Sequence, residues 1–187
     1  MRSEPALSVL IVEDERIVAI DLQQTLSGMG YDAFAIAASA DEAMRRASER
    51  RPDVVLMDIR IKGDKDGVET AALLRQRFSV PIVYLTAHAD DATIERAKHT
   101  EPYGYLLKPV KSAELRSVLE VSLYKHAMER KLRERERWFS TTLRSIADGV
   151  VAVDTAGNVI FMNPVAEALT GTALDAALDR PARDVMR

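Results

Sequence analysis

The segment "VVLMDIRIKGDKDG", residues 54–67, opens with four apolar residues, delivers one carboxylate, Asp58, and then becomes a loop of charges and glycines. A short apolar run without polar alternation reads as a strand covered on both faces, as in the middle of a parallel sheet. Packing gives such a strand no reason to end in an aspartate. The rest of the chain must therefore be read for what arrives at the same place.

Two more runs have this texture, "LSVLIV" (7–12) and "VPIVYLTA" (80–87), and two weaker ones, "YDAFAIA" (31–37) and "YGYLLK" (103–108), fit the same role. Helical stretches lie between them, with apolar residues three or four apart: Ile17, Ile20, Leu22 and Leu26 before "GMG"; Ala43, Met44 and Ala47; Val68, Ala71, Ala72 and Leu74; Ile94 and Ala97. Strands alternating with helices predict βαβ units with right-handed crossovers. The expected fold class is therefore α/β, a doubly wound, five-stranded parallel sheet of the flavodoxin-like kind. Strand order 2-1-3-4-5 would make the first and third strands neighbours.

Composition narrows the field. The 187 residues suffice for one full domain and a remainder. With 47% apolar and only 5% aromatic residues, the core should be aliphatic and rich in alanine. Charged residues reach 29% but the net charge is −3, so no global field argues for nucleic acid or an anionic membrane as partner. The absence of cysteine excludes disulfides and thiolate metal sites and fits a reducing cytosol. The N-terminal apolar run is too short for a signal peptide, and no run approaches the roughly 20 residues of a membrane helix. A cytoplasmic protein, or the soluble part of one, is expected.

From Ser112 to Ala147 the chain has neither Gly nor Pro and predicts one long helix with Ser112 as its cap. Val121, Lys125, Met128, Leu132, Arg135, Phe139, Thr142 and Ile146 follow a 4-3-4-3 spacing, which suggests a coiled-coil seam and a homodimer. Lys125 and Arg135 interrupt that seam. The competing reading is a solvated connector supported by pairs such as Glu129–Arg133. Beyond it, Val150 and Ala152, the turn "DTAGN" and Val159 to Met162 predict a β-hairpin, and Asn163 with Pro164 opens a short helix as cap and first residue. The expected divisions are 1–124, a linker at 125–147, and 148–187.

The polar residues ending the predicted strands carry the chemistry. The first strand ends in Glu13 and Asp14, the third in Asp58, the fourth in Thr86 and the fifth in Lys108. In a doubly wound sheet these positions meet at the ligand-binding edge. Three clustered carboxylates repel unless a cation joins them, and a hard divalent ion such as Mg2+ takes oxygen ligands with waters completing its shell. Lys108 adds a second positive charge and Thr86 a hydroxyl donor. The missing anion is a phosphoryl group on Asp58, because a carboxylate can attack phosphorus to form an acyl phosphate. Each residue alone has a structural reading as cap or turn. Their joint placement favours the chemical one.

The stretches "VLIVEDE", "VVLMDIRIKGDKDG", "IVYLTA" and "GYLLKP" together resemble the receiver domain of two-component response regulators, over about Leu7 to Tyr124. The resemblance implies Asp58 as phosphoacceptor, and Glu13, Asp14 and Asp58 as magnesium ligands with the backbone carbonyl of Arg60. It implies Lys108 and Thr86 as phosphoryl-binding groups, Thr86 and Tyr105 as the switch pair, and a cis bond at Lys108–Pro109. The implied partner is a histidine kinase or phosphotransfer protein. No separate enzyme activity is expected beyond the receiver's assistance to its own phosphorylation and dephosphorylation. Two departures stand out: Glu13 replaces the commoner Asp, and the loop after Asp58 lacks the usual "MP" and is one residue longer before Asp66 and Gly67. His88 sits where the family tunes acyl-phosphate lifetime, although a plain loop residue is the simpler reading.

The segment from Phe139 to Gly171 resembles the opening of a PAS domain, about half of one, for which no haem or flavin is expected. Such a chain would be part of a longer protein, for example a hybrid sensor histidine kinase. A dehalogenase-type phosphatase would place D-x-D after the first strand, where this chain has adjacent acids. A nucleic-acid reading of "RKLRERER" (130–137) is opposed by the interleaved Glu134 and Glu136. His126 lacks the residues that follow a kinase phosphoacceptor histidine and reads as a solvated helix position.

Overall fold

The computed structural model describes residues 6–87 and 91–186; side chains at 91–94, 139–140 and 144–145 lie outside the description, as does His88. The chain forms two compact units, Met1–Met128 and Glu129–Arg187.

The first unit is the doubly wound sheet. Strands β1 (Ser8–Val12), β2 (Asp32–Ala37), β3 (Val54–Asp58), β4 (Ile82–Thr86) and β5 (Gly104–Leu107) are parallel in the order β2-β1-β3-β4-β5. Every residue of β1, β3 and β4 is buried, as the unbroken apolar runs require. Edge strand β2 alternates half-buried and buried positions. Helices α1 (Arg16–Gly28), α2 (Ala40–Glu49), α3 (Gly67–Phe78), α4 (Asp91–Lys98) and α5 (Ser112–Ser145) follow the strands in turn. Two apolar layers result. Leu10, Val55, Met57 and Tyr84 pack with α2 and α3 on one face, while Ile11, Leu56 and Leu85 pack with α1 and α5 on the other.

Several local expectations change. Helix α1 buries Ala19, Leu22 and Leu26, spaced three and four apart, which turns Ile17 (85% exposed) and Ile20 to solvent. Ser112 is the first residue of α5 rather than its cap, and Ile146 lies past the helix end. His126 is not simply solvated: its Nδ1 lies 3.2 Å from the Tyr103 hydroxyl, with the rings edge to face. Lys125, placed in the seam by spacing, reaches over the Tyr103 ring at 5.2 Å. The Glu129–Arg133 pair is present at 3.3 Å.

In the second unit β6 (Val151–Val153) and β7 (Val159–Met162) form the hairpin, antiparallel with Val151 opposite Met162. Short helices α6 (Pro164–Thr170), α7 (Leu174–Ala177) and α8 (Ala182–Val185) close a small core of Val159, Met162, Ala166, Ala177 and Val185. Asn163 is its polar centre and is fully buried. Its Oδ1 accepts from the amides of Val150 and Ala166, and its Nδ2 donates to the carbonyls of Leu143 and Asp148. One side chain thus ties the last turn of α5, the hairpin and the start of α6 together, using its full amide capacity.

Candidate phosphoacceptor site

Parallel register brings the strand tips together. Met57 is aligned with Val12, so Glu13 and Asp14 follow β1 beside Asp58 at the end of β3. One carboxylate oxygen from each of Glu13, Asp14 and Asp58 lies within 4.8 Å of the others. Glu13 and Asp58 are buried and Asp14 half-buried. Lys108, just beyond β5, donates to Asp58 Oδ2 at 2.7 Å. Its ammonium also forms an ion pair with Glu13 Oε2 at 2.5 Å. Asp58 Oδ1 accepts from the Arg60 amide at 3.1 Å, and Glu13 Oε1 from the Glu15 amide at 3.1 Å.

The electrostatics follow from burial. Desolvation pushes the Glu13 carboxyl above its ordinary range, with Asp58 adding to it and Lys108 opposing. Burial alone would lower Lys108, but Asp58 and Glu13 outweigh that and hold its ammonium above the usual lysine value. The lysine therefore stays charged between two acids.

Asp14, Asp58, Arg60, Thr86 and Lys108 line one cavity of about 410 Å³. Thr86 is buried at the end of β4, and its carbonyl accepts from the Lys108 amide at 2.8 Å. The Lys108–Pro109 bond is cis. The donor set fits a hard divalent cation: three carboxylates within one ion's reach, two of them withdrawn from water. Such an ion would be held by Glu13, Asp14 and Asp58, with the Arg60 carbonyl a candidate fourth donor.

Helix α3 abuts the site. Asp66 caps it, accepting from Glu69, whose carboxylate returns to the Asp66 amide, both at 2.9 Å. The Gly67 amide donates to the Ile59 carbonyl at 3.0 Å. A Cβ at Gly67 would stand 1.8 Å from the Asp58 carbonyl oxygen, so only glycine fits.

Tyr105 turns inward. Its hydroxyl is buried without a hydrogen-bond partner among the described residues, burial raises its pKa, and its ring stacks on Tyr84 at 5.7 Å. The Tyr84 hydroxyl is hydrogen-bonded to Thr100 Oγ1 at 2.8 Å. Sequence reasoning passes over Tyr84, although "VYLT" aligned with "GYLL" makes the two tyrosines register partners. It also passes over Lys62, whose Nζ lies 3.4 Å from Asp14 Oδ2; the longer loop after Asp58 was the available signal.

A parallel 2-1-3-4-5 sheet with an acid triad and a lysine at its carboxyl edge is the architecture of a response regulator receiver domain. The sequence model of the response regulator receiver domain matches residues 9–120, and the chain belongs to that family. A PAS domain model matches residues 137–186. Among curated relatives, the phyllosphere-induced regulator PhyR of Methylorubrum extorquens is 29% identical over 125 residues, covering 66% of this chain and 46% of PhyR. The transcriptional regulatory protein PdtaR of Mycobacterium tuberculosis is 33% identical over 115 residues, 62% of this chain and 56% of PdtaR. The matches thus span about half the length of these relatives. The signal receiver domain of a modulated diguanylate cyclase from Desulfovibrio desulfuricans G20 is 41% identical with a TM-score of 0.64, covering 66% of this chain and 98% of that one. The N-terminal domain of a response regulator/sensory box/GGDEF three-domain protein from Carboxydothermus hydrogenoformans is 32% identical, TM-score 0.60, over 65% of this chain and 98% of that one.

Proposed function

We propose that this chain is the phosphoacceptor part of a two-component phosphorelay, with Asp58 taking a phosphoryl group from the phosphohistidine of a histidine kinase or phosphotransfer protein. The observation that supports this best is the convergence of Glu13, Asp14 and Asp58 with Lys108 bridging two of them. A carboxylate oxygen of Asp58 attacks phosphorus as the P–N bond to the imidazole breaks, giving an acyl phosphate and a free histidine. Lys108 moves from the carboxylates to the phosphoryl oxygens, and the Thr86 hydroxyl donates to one of them. Glu13, Asp14 and Asp58 would hold a Mg2+ ion, which would supply neutralising charge for the transferred group. Tyr105, stacked inward beside β4, makes a switch pair with Thr86, so phosphorylation shifts a population between two packings of this face. On this reading residues 1–124 are the receiver, 125–147 the connector and 148–187 a PAS segment of a longer cytoplasmic signalling protein.

The test is intact mass after incubation with acetyl phosphate, with and without Mg2+. A magnesium-dependent phosphoryl adduct on the native chain and none on Asp58→Asn is expected; an adduct that survives in Asp58→Asn would refute the assignment.

The connector is proposed to pair with a second copy. Val121, Met128 and Leu132 are exposed along α5. In the 4-3 register Lys131 and Glu136 occupy flanking positions that attract across a parallel pair. Sedimentation velocity showing a monomer with and without a phosphoryl mimic would remove this part of the reading.

A further inference from the structure

The loop after Asp58 carries a second cation to the acid cluster. Lys62 lies within it, 77% exposed at its side chain, with Nζ 3.4 Å from Asp14 Oδ2. Its backbone is held in place: residue 62 makes a parallel bridge to Ser39, whose side chain accepts from Glu42 to cap α2. Gly63 follows with φ +117, a conformation L side chains rarely adopt. Lys62 therefore sits on a defined backbone path that brings its amine to Asp14, whereas the ion pairs of Lys108 are to Glu13 and Asp58.

The two lysines differ in kind. Lys108 is withdrawn from water and bridges Glu13 and Asp58, whereas Lys62 approaches Asp14 from solvent on a flexible stem. With both in place the three carboxylates keep a single residual negative charge. Exchange of Lys62 for a divalent ion brings the cluster to neutrality, while adding the ion with Lys62 still present would leave it positive. Charge balance thus favours exchange over addition.

We infer that Lys62 is a displaceable counterion of the metal site: it holds Asp14 while the site is empty and must leave when Mg2+ enters, so it sets the affinity for the ion. This rests on the receiver reading and adds a positioning residue to it. Lys62 acts through Asp14.

The experiment is isothermal titration calorimetry of Mg2+ into the full 187-residue chain and into Lys62→Gln, Lys62→Arg and Lys65→Gln, each checked for fold by circular dichroism. Amide chemical shifts of Ser39, Lys62 and Gly63 are followed in a parallel Mg2+ titration. Lys62→Gln should bind Mg2+ about two- to five-fold more tightly, the span expected from loss of one exposed ion pair. Lys62→Arg should match the native chain. Lys65→Gln, which removes an exposed lysine of the same loop, should change affinity less than Lys62→Gln, separating a specific competitor from the general field. The three amides should move with metal occupancy in the native chain. Equal affinity of Lys62→Gln and native chain, or equal tightening in Lys65→Gln, overturns the inference and leaves the receiver reading standing. A native chain that binds no Mg2+ and accepts no phosphoryl group removes both.

Discussion

Gly67→Ala tests how tightly the nucleophile is braced. The added Cβ would lie 1.8 Å from the Asp58 carbonyl oxygen, 2.8 Å from its carbonyl carbon and 2.9 Å from Ile59 Cα. These are backbone atoms, so no side chain can swing aside. Reaching the 3.0 Å that real Cβ contacts respect requires a displacement of at least about 1.2 Å. Strand β3 is hydrogen-bonded to β1 and β4 on both sides, so the strain falls on the β3–α3 loop and the first turn of α3. Overpacking of this kind costs about 1–3 kcal/mol. For a unit of this size that lowers the melting temperature by roughly 5–15 °C. If part of the shift reaches Asp58, a misplacement near 1 Å slows phosphoryl transfer by about 100-fold. Thermal melting by circular dichroism and the rate of the magnesium-dependent mass adduct read the two effects separately. A variant with both native melting temperature and native rate would refute the packing argument.

Lys108→Met should lower stability by about 3–5 kcal/mol, because it leaves two buried acids facing each other; millimolar Mg2+ should restore part of the loss in a thermal melt. Asn163→Ala strips partners from two amides and two carbonyls and should cost the second unit about 2–4 kcal/mol, seen as faster hydrogen exchange at Val150 and Ala166 with the β1–β5 amides unchanged. Burial raises the Tyr84 hydroxyl to about 12, with Thr100 opposing. An unfolded tyrosine ionises near 10, so Tyr84 withdraws stability as pH climbs from about 10 towards 12. Absorbance titration at alkaline pH should show a late tyrosine component in the native chain that is missing in Tyr84→Phe.

Much of the first unit is legible in sequence because burial on both faces leaves no charged residue inside β1, β3 and β4, so the carboxylates of Glu13, Asp14 and Asp58 mark strand ends. The order 2-1-3-4-5 enters the sequence reading as a premise of the doubly wound class, and it is this order that brings residues 13, 14 and 58 together. The exceptions are instructive. Ile17 and Ile20 look like core residues, but α1 presents only a narrow stripe to the sheet, and three smaller or better-placed residues fill it. Lys62 is invisible to periodicity because its position depends on a loop path, a backbone bridge and one glycine. Tyr84 emerges only once β4 and β5 are set in register. Asn163 reads as a cap, which it is; its three further bonds come from positions 13, 15 and 20 residues away, a distance no local signal spans.

The same Asn163 has a consequence for the chemical ageing of the chain. Asparagine is lost over time when the next residue's backbone nitrogen closes a ring onto the side-chain carbonyl and the ring reopens as aspartate. Here that nitrogen belongs to Pro164, which has no hydrogen to give up. Conversion would replace the amide donor facing the Leu143 and Asp148 carbonyls with an anionic oxygen in a fully buried position. The proline that starts α6 therefore also closes this route to aspartate at the side chain that joins helix, hairpin and cap.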